Sequence, residues 1–214
     1  MPLCDGEQIR PVALWSPPGT RPVLTVAGVW LVGAWLAGLA GWVAALRPPA
    51  PQLILVGLTV AVLITAGLAP PFRRFVERVD LRALVLFHLT RFVGVYFLVL
   101  HARGELPWAF AVPGGWGDIA VAASALLLVL RARPDCPAGR RAYVVWNVVG
   151  LLDILGVVLT ASRLALADPE SMRALLRLPL SLLPTFVVPI VIATHLLMLR
   201  RLARAAPARS RTRP

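Results

Sequence analysis

The sequence contains no lysine and only two cysteines, and charged residues make up 15% of its 214 residues. Soluble globular domains carry about 25% charged residues, so this composition argues against a soluble fold. Cys4 and Cys136 are far apart and form no CxxC pair, so we expect neither a disulfide nor a metal site from them. Arginine alone supplies the basic excess, a formal net charge of +12.

Several catalytic signatures are also missing. The chain has no HExxH, GxSxG, Walker or dinucleotide-binding motif, which removes the sequence support for a zinc peptidase, a serine hydrolase or a nucleotide-binding enzyme. The arginines lie between apolar runs instead of forming one basic patch, so we expect no nucleic-acid partner. The sequence therefore favours a protein that is not an enzyme, and we predict no catalytic residue.

Apolar sequence is what the chain has in excess. It is 58% hydrophobic, with a mean hydropathy of +0.78, and its apolar runs have the length of about 20 residues that spans a bilayer as a helix. We predict an all-α, polytopic membrane helix bundle with the lipid bilayer as its surroundings. The predicted spans are 21–46, 53–69, 82–102, 114–130, 142–162 and 178–199, within a transmembrane domain 21–199 between a lead-in 1–20 and a basic disordered tail 200–214.

One short segment is polar on one side only. Between the second and third spans, apolar residues recur at helical spacing while arginines and a glutamate occupy the other side, which predicts an amphipathic helix in the headgroup region. The apolar positions are Phe72, Phe75, Val76 and Val79.

The distribution of arginines predicts the orientation. With both termini in the cytoplasm, 16 of the 22 arginines lie inside and five lie outside, with Arg91 in the membrane. Arginine-rich loops stay on the cytoplasmic side. We therefore expect a bacterial-type cytoplasmic (inner) membrane protein with both ends inside.

Arg91 is the charge that the bundle must accommodate. A charge at bilayer depth is costly and rarely faces lipid. At about 1.5 Å per residue, Arg91 and Asp153 lie at similar depth, and Asp118 lies nearer the outer surface. We predict that Arg91 pairs with one or both carboxylates, as a solute site or as a structural strut. Asp118 has a second interpretation, as a cap at the start of the fourth span, and Asn147 could serve only as an interhelix hydrogen bond.

The sixth span contains three prolines five residues apart. Pro184 and Pro189 remove backbone donors and free the carbonyls of Leu180 and Thr185. Such groups persist in a membrane only against protein or a water-filled cavity. We predict a broken helix that gates the polar site, with an ordinary proline kink as the alternative.

Two other functions compete with this prediction. His88 and His195 lie at matched depth on different spans, which would suit axial ligands of a b-type haem. The sequence Gly115–Trp116–Gly117–Asp118 resembles the GxGD motif of intramembrane aspartyl proteases and prepilin peptidases. In those families the partner aspartate precedes the motif, whereas Asp153 follows it here.

The sequence therefore predicts a membrane protein that binds or transports a small anionic or proton-linked solute. The alternatives are a haem protein, a GxGD-like peptidase and a structural or assembly subunit, and a homo-oligomer is compatible with any of them. No other cofactor or metal is expected. The predicted solute-binding residues are Arg91, Asp118, Asn147, Asp153 and His195, and the predicted gating residues are Pro184 and Pro189.

Overall fold

The structure is a computed structural model that describes residues 18–204. Over this range the chain is helical, without strands, and six of its helical segments are long and apolar enough to span a membrane. This confirms the predicted class of a polytopic membrane helix bundle. The α-helices are α1 (Thr20–Leu39), α2 (Ala50–Leu68), α3 (Pro70–Arg78), α4 (Leu81–Phe87), α5 (Gly94–Ala102), α6 (Trp108–Arg131), α7 (Pro137–Ala167) and α8 (Val188–Arg204).

The short helix α3 is the predicted amphipathic segment. It begins on two prolines, whose missing N–H groups cost nothing in the first helical turn. Phe72, Phe75 and Val76 are half-buried against neighbouring helices, whereas Arg73 and Arg78 are exposed. The helix ends at Arg78, and Asp80 then caps α4 by accepting a hydrogen bond from the Arg82 N–H at 2.9 Å.

The third span is divided, where a single helix was expected. Between α4 and α5, residues His88–Val93 form a 3₁₀ segment. A 3₁₀ turn has fewer residues per turn than an α-helix, so this segment changes which residues face the interior. His88 and Arg91 are both buried there.

The fourth span begins earlier than predicted. Helix α6 starts at Trp108, six residues before the predicted start of the span at residue 114, and it runs through Pro113 and the following glycines. Asp118 therefore lies ten residues into the helix, about 15 Å from its start. The interpretation of Asp118 as a helix cap is wrong, because the backbone N–H groups around it belong to the helix interior.

The helix ends also differ from the predicted bounds. Helix α1 stops at Leu39, because Gly41 adopts a left-handed conformation with φ of 76° that ends the helix. Helix α7 runs five residues further in each direction than the predicted span. Helix α8 continues to Arg204, beyond Leu199. The lead-in up to residue 17 and the tail from residue 205 lie outside the described residues.

Cys136, just before α7, is disulfide-bonded, whereas we expected no disulfide. The sequence's other cysteine, Cys4, lies outside the described residues. Sequence separation alone gave the expectation, and it does not determine which parts of a folded chain are neighbours.

Helices α6 and α8 form the centre of the bundle. Helix α6 packs against α5, the 3₁₀ segment and α7, and α8 packs against α2 and α7. Helix α1 is peripheral, because Ala34 is its only buried residue. The backbones of α5 and α6 approach closely at Gly94 and Gly115, where an added Cβ on either residue would overlap the other chain segment.

Candidate functional site

Arg91 lies at the centre of a buried polar cluster, which we call the polar core and which also contains Asp118 and Asp153. Arg91 is 2% exposed. Its Nε donates to Asp118 Oδ1 at 2.6 Å, and its Nη1 donates to the carbonyl oxygen of Gly150 at 2.9 Å. Its Nη2 donates to Asp153 Oδ2. The structure therefore brings together the three charged residues that the depth argument placed near one another.

The polar core carries more negative than positive groups. Asp118 is 3% exposed, and the side chain of Asp153 is 23% exposed. With both carboxylates ionised, the two aspartates and Arg91 have a formal charge of minus one. An uncompensated charge is costly in a medium of low dielectric constant, so this cluster attracts a proton or a cation more strongly than an anion.

Glycines make the close contacts of this cluster possible. A Cβ on Gly94 would lie 2.8 Å from the Cβ of Asp118, and a Cβ on Gly117 would overlap the Asp153 carboxylate. A Cβ on Gly150 would lie 2.7 Å from Cε1 of His195. Sequence reasoning missed these roles. The spacing of Asn147, Gly150 and Asp153, three residues apart on one helix face, was the available signal.

A cavity of about 420 Å³ begins at this cluster. Its floor contains Thr90, Arg91 and Asp118, and its walls are mainly apolar side chains. The cavity extends to the end of the bundle where the α1–α2 turn and the α7–α8 connection lie. The apolar wall residues include Leu55, Val93, Phe97, Phe110, Ile154, Val157, Val158, Ala161, Leu183, Val187 and Val191.

Charged residues line the other end of the cavity, where Arg47, Glu170 and Arg173 are found. Arg173 Nη1 donates to Glu170 Oε1 at 2.7 Å. This hydrogen bond is the main cause of the lowered pKa of the exposed Glu170 carboxyl. Desolvation opposes it, and the charges of the nearby arginines lower the pKa further. The Glu170 carboxyl therefore stays ionised at neutral pH, at the end of the cavity that we call its mouth.

The other predicted site residues occupy different positions. Pro184 lines the cavity, whereas Pro189 is fully buried in α8. The cavity lining does not include Asn147, Asp153 or His195. Asp153 and the Gly150 carbonyl contact the lining through hydrogen bonds from Arg91. The structure therefore separates the predicted residues that line the cavity from those that lie outside its lining.

The sixth span has irregular backbone at its start and then continues directly into α8. Leu183–Val187 form a π-helical segment before α8 begins. The Thr185 carbonyl, which Pro189 leaves without its helical donor, accepts a hydrogen bond from Trp30 Nε1 at 2.9 Å. The Leu180 carbonyl accepts from the Leu183 N–H at 2.9 Å.

His88 and His195 form a direct ring contact, with their centroids 4.2 Å apart. A b-type haem needs its two axial imidazoles on opposite faces of the macrocycle. Rings already in contact leave no space for a macrocycle between them, so these residues do not fit the haem alternative. The sequence pattern gave only their depth and not their separation.

The GxGD alternative does not fit the charge arrangement either. An aspartyl protease needs two carboxylates that share a proton. Here Asp118 and Asp153 are each held by a different nitrogen of Arg91, and no hydrogen bond joins the two carboxyl groups in the described part of the chain.

No match was found among curated proteins, and none was found among solved structures. A protein-family profile does match residues 48–203, which is well over half of the chain. The match begins just before α2 and ends in α8, so it includes the Arg91 cluster and every helix of the cavity wall. This six-span membrane protein therefore belongs to the family described as a domain of unknown function (DUF8737).

Proposed function

We propose that the protein binds a small solute in the cavity above Arg91 and Asp118 and carries it across the membrane with a proton. The observation that supports this proposal is the cavity of about 420 Å³ whose floor is a buried Arg–Asp–Asp cluster. Ligand sites have volumes of roughly 300–1,000 Å³ and combine apolar walls with a few polar groups.

The lining indicates the chemical class of the solute. Apolar side chains make up most of the wall, whereas Thr90, Arg91 and Asp118 make the floor polar. We therefore expect a largely apolar molecule with one polar end that hydrogen-bonds at the floor. The cluster's formal charge of minus one favours a proton-linked solute over a free anion.

Two irregular segments provide places where the helices can move. The 3₁₀ segment His88–Val93 and the π segment Leu183–Val187 both contribute to the cavity lining. Irregular backbone at membrane depth is tolerated where it faces protein or a cavity, and many transporters place their binding sites beside broken helices. We propose that the Pro184 segment acts as the gate.

The arginine distribution supports the orientation. With both termini in the cytoplasm of a bacterial-type cell, the cavity mouth at Arg47 and Arg173 faces the periplasm. The solute would then enter from outside, and the proton would follow the same path to the floor.

The proposal predicts that water reaches the cavity wall. In a variant with Cys4 and Cys136 replaced by serine, Ala161→Cys should react with a membrane-impermeant thiol reagent added from outside. Leu159→Cys is the matched control, because it lies two residues away on α7 and its side chain is 60% exposed on the outer surface of the bundle. The reagent should label Ala161→Cys at least tenfold faster than Leu159→Cys.

Equal, slow labelling at both positions would overturn the proposal and favour a dry structural cluster. Labelling at Ala161→Cys that is faster from the cytoplasmic side would reverse the orientation. Both variants must retain the thermal stability of the parent in which Cys4 and Cys136 are serine, which is expected because Ala161 and Leu159 are not part of the charged cluster.

A further inference from the structure

The two ends of the cavity differ in charge. The floor belongs to the polar core, whose formal charge is minus one when both carboxylates are ionised. The mouth is lined by two arginines and one glutamate, Arg47, Arg173 and Glu170, which have a formal charge of plus one. Binding sites select partners by complementary charge, so the two ends of one bound molecule should carry different groups.

The floor presents acceptor oxygens to the cavity. The Thr90 hydroxyl donates its only proton to the Phe87 carbonyl oxygen at 2.9 Å, which leaves the hydroxyl oxygen as an acceptor. Asp118 accepts from Arg91 Nε through Oδ1, and its Oδ2 accepts no hydrogen bond from a residue that the structure describes. Thr90 and Asp118 both line the cavity. The complementary group on a solute is a hydrogen-bond donor.

A hydroxyl group suits this floor better than an ammonium group. Arg91 also lines the floor, and its positive charge disfavours a second cation beside it. A hydroxyl group donates to an acceptor oxygen and can accept from a guanidinium N–H at the same time. The proposed function already assigns the compensation of the negative charge to a proton, so the polar end of the solute is neutral.

The mouth presents a cation without a partner. Arg173 Nη1 donates to both carboxylate oxygens of Glu170, at 2.7 Å and 2.8 Å, so these two charges compensate each other. Arg47, between α1 and α2, is exposed and makes no hydrogen bond or ion pair with a described residue. Its guanidinium has five N–H donors in a planar arrangement that matches a carboxylate or a phosphate.

An apolar wall joins the two ends. Ile154 and Ala165 of α7 both line the cavity and are eleven residues apart, which places them about 16 Å apart along the helix. The residues of α7 that line the cavity between them include Val157, Val158 and Ala161. A molecule that reaches from the floor to the mouth therefore needs an elongated apolar middle.

We infer that the solute is an elongated hydroxy acid, with a hydroxyl group at Thr90 and Asp118, an apolar chain along α7 and an anionic group at Arg47. This inference names the substrate class of the proposed solute site and rests on that proposed function. It adds a role for Arg47, which the sequence pattern treated only as a charge of an outer loop.

The test measures protection of the cavity wall by matched probes. Full-length protein with Cys4 and Cys136 replaced by serine and with Ala161→Cys is placed in liposomes, and the labelling rate is followed as each probe is added. The probe concentration that halves this rate should be about tenfold lower for ω-hydroxylaurate than for laurate or lauryl alcohol, because each of these lacks one polar end. Leu159→Cys, on the outer surface, should label at the same rate with and without probe.

Two variants test the ends separately. Arg47→Gln should raise the half-protecting concentration about tenfold for ω-hydroxylaurate and laurate but leave that for lauryl alcohol unchanged. Arg103→Gln is the matched control, since Arg103 is also exposed but lies outside the cavity lining. Thr90→Val should reduce the advantage of ω-hydroxylaurate over laurate, and it leaves every ion pair of the polar core intact.

Several results would overturn the inference. Equal protection by the three probes would mean that the cavity binds any apolar chain, and stronger protection by ω-aminolaurate would mean that the floor prefers a cation. Protection by β-hydroxypropionate at the same concentration would contradict the need for an apolar middle. A labelled Ala161→Cys that no probe protects removes the hydroxy acid and leaves the solute site, whereas an unlabelled Ala161→Cys without probe removes the proposed function and this inference together.

Discussion

The indole Nε1 of Trp30 lies 2.9 Å from the carbonyl oxygen of Thr185. Pro189 cannot donate to this carbonyl, since proline has no N–H. A tryptophan on the peripheral helix α1 therefore satisfies a backbone group in the π-helical segment of the sixth span, and its ring also contacts Phe186 at a centroid distance of 4.9 Å.

Trp30→Phe should destabilise the protein by about 1–3 kcal/mol, the cost of leaving the partly buried Thr185 carbonyl without its donor. Phenylalanine keeps the aromatic contact with Phe186, so the loss reports mainly the hydrogen bond. Denaturant unfolding in detergent micelles, followed by circular dichroism, measures it. Trp35→Phe on the same helix is the control, because Trp35 is 44% exposed. Equal effects of the two substitutions would contradict the prediction.

Arg91→Met should destabilise the protein by roughly 3–5 kcal/mol, because it leaves two carboxylates in the membrane without their cation. Replacing Arg91, Asp118 and Asp153 together with apolar residues should recover much of that loss, since no uncompensated charge remains. The same unfolding measurement compares the two variants. A triple variant as unstable as Arg91→Met would mean that the cost comes from packing and not from charge.

The two aspartates should differ in their contributions. Asp118→Asn should cost more stability than Asp153→Asn, because Asp118 is almost fully buried whereas the side chain of Asp153 is 23% exposed. Desolvation makes an imperfectly satisfied group more costly where it is more buried. Thermal unfolding of both variants in the same detergent tests the order, and a larger effect at Asp153 would contradict it.

Gly150→Ala should destabilise the protein by about 1–3 kcal/mol, the usual cost of overpacking. The new methyl group would lie 2.7 Å from His195 Cε1, and that ring is held by Asn147. Gly156→Ala on the same helix has open space at its Cβ and should be neutral or stabilising by up to about 1 kcal/mol. Two equally mild substitutions would show that the histidine ring can move.

Reporter fusions test the orientation. A fusion at the chain's C-terminus and one in the 131–141 loop should both report the cytoplasm, whereas one near Asp168 should report the periplasm. Reversed signals at all three positions would leave the bundle intact and invert the direction in which the cavity opens. A periplasmic C-terminus with a cytoplasmic 131–141 loop would contradict the six-span topology.

The sequence by itself determined the class of fold and the main charged residues. Apolar runs of bilayer length leave helices as the natural solution, because a helix satisfies its own backbone hydrogen bonds in lipid. A buried arginine needs carboxylates, so composition and depth were enough to associate Arg91 with Asp153 and to name Asp118 as the second candidate partner. Proline chemistry alone predicted irregular backbone in the sixth span, where the π-helical segment is found.

Only the tertiary structure decided how these parts meet. Helix α6 includes Pro113 and the glycines before Asp118, because its packing against α5 and α7 outweighs the low helix propensity of these residues. The longer helix places Asp118 at the depth of Arg91. The contact between His88 and His195, which removes the haem alternative, depends on the rotation of two helices about their axes. Such rotations are set by side-chain packing between distant segments, so sequence spacing within one helix could not reveal them.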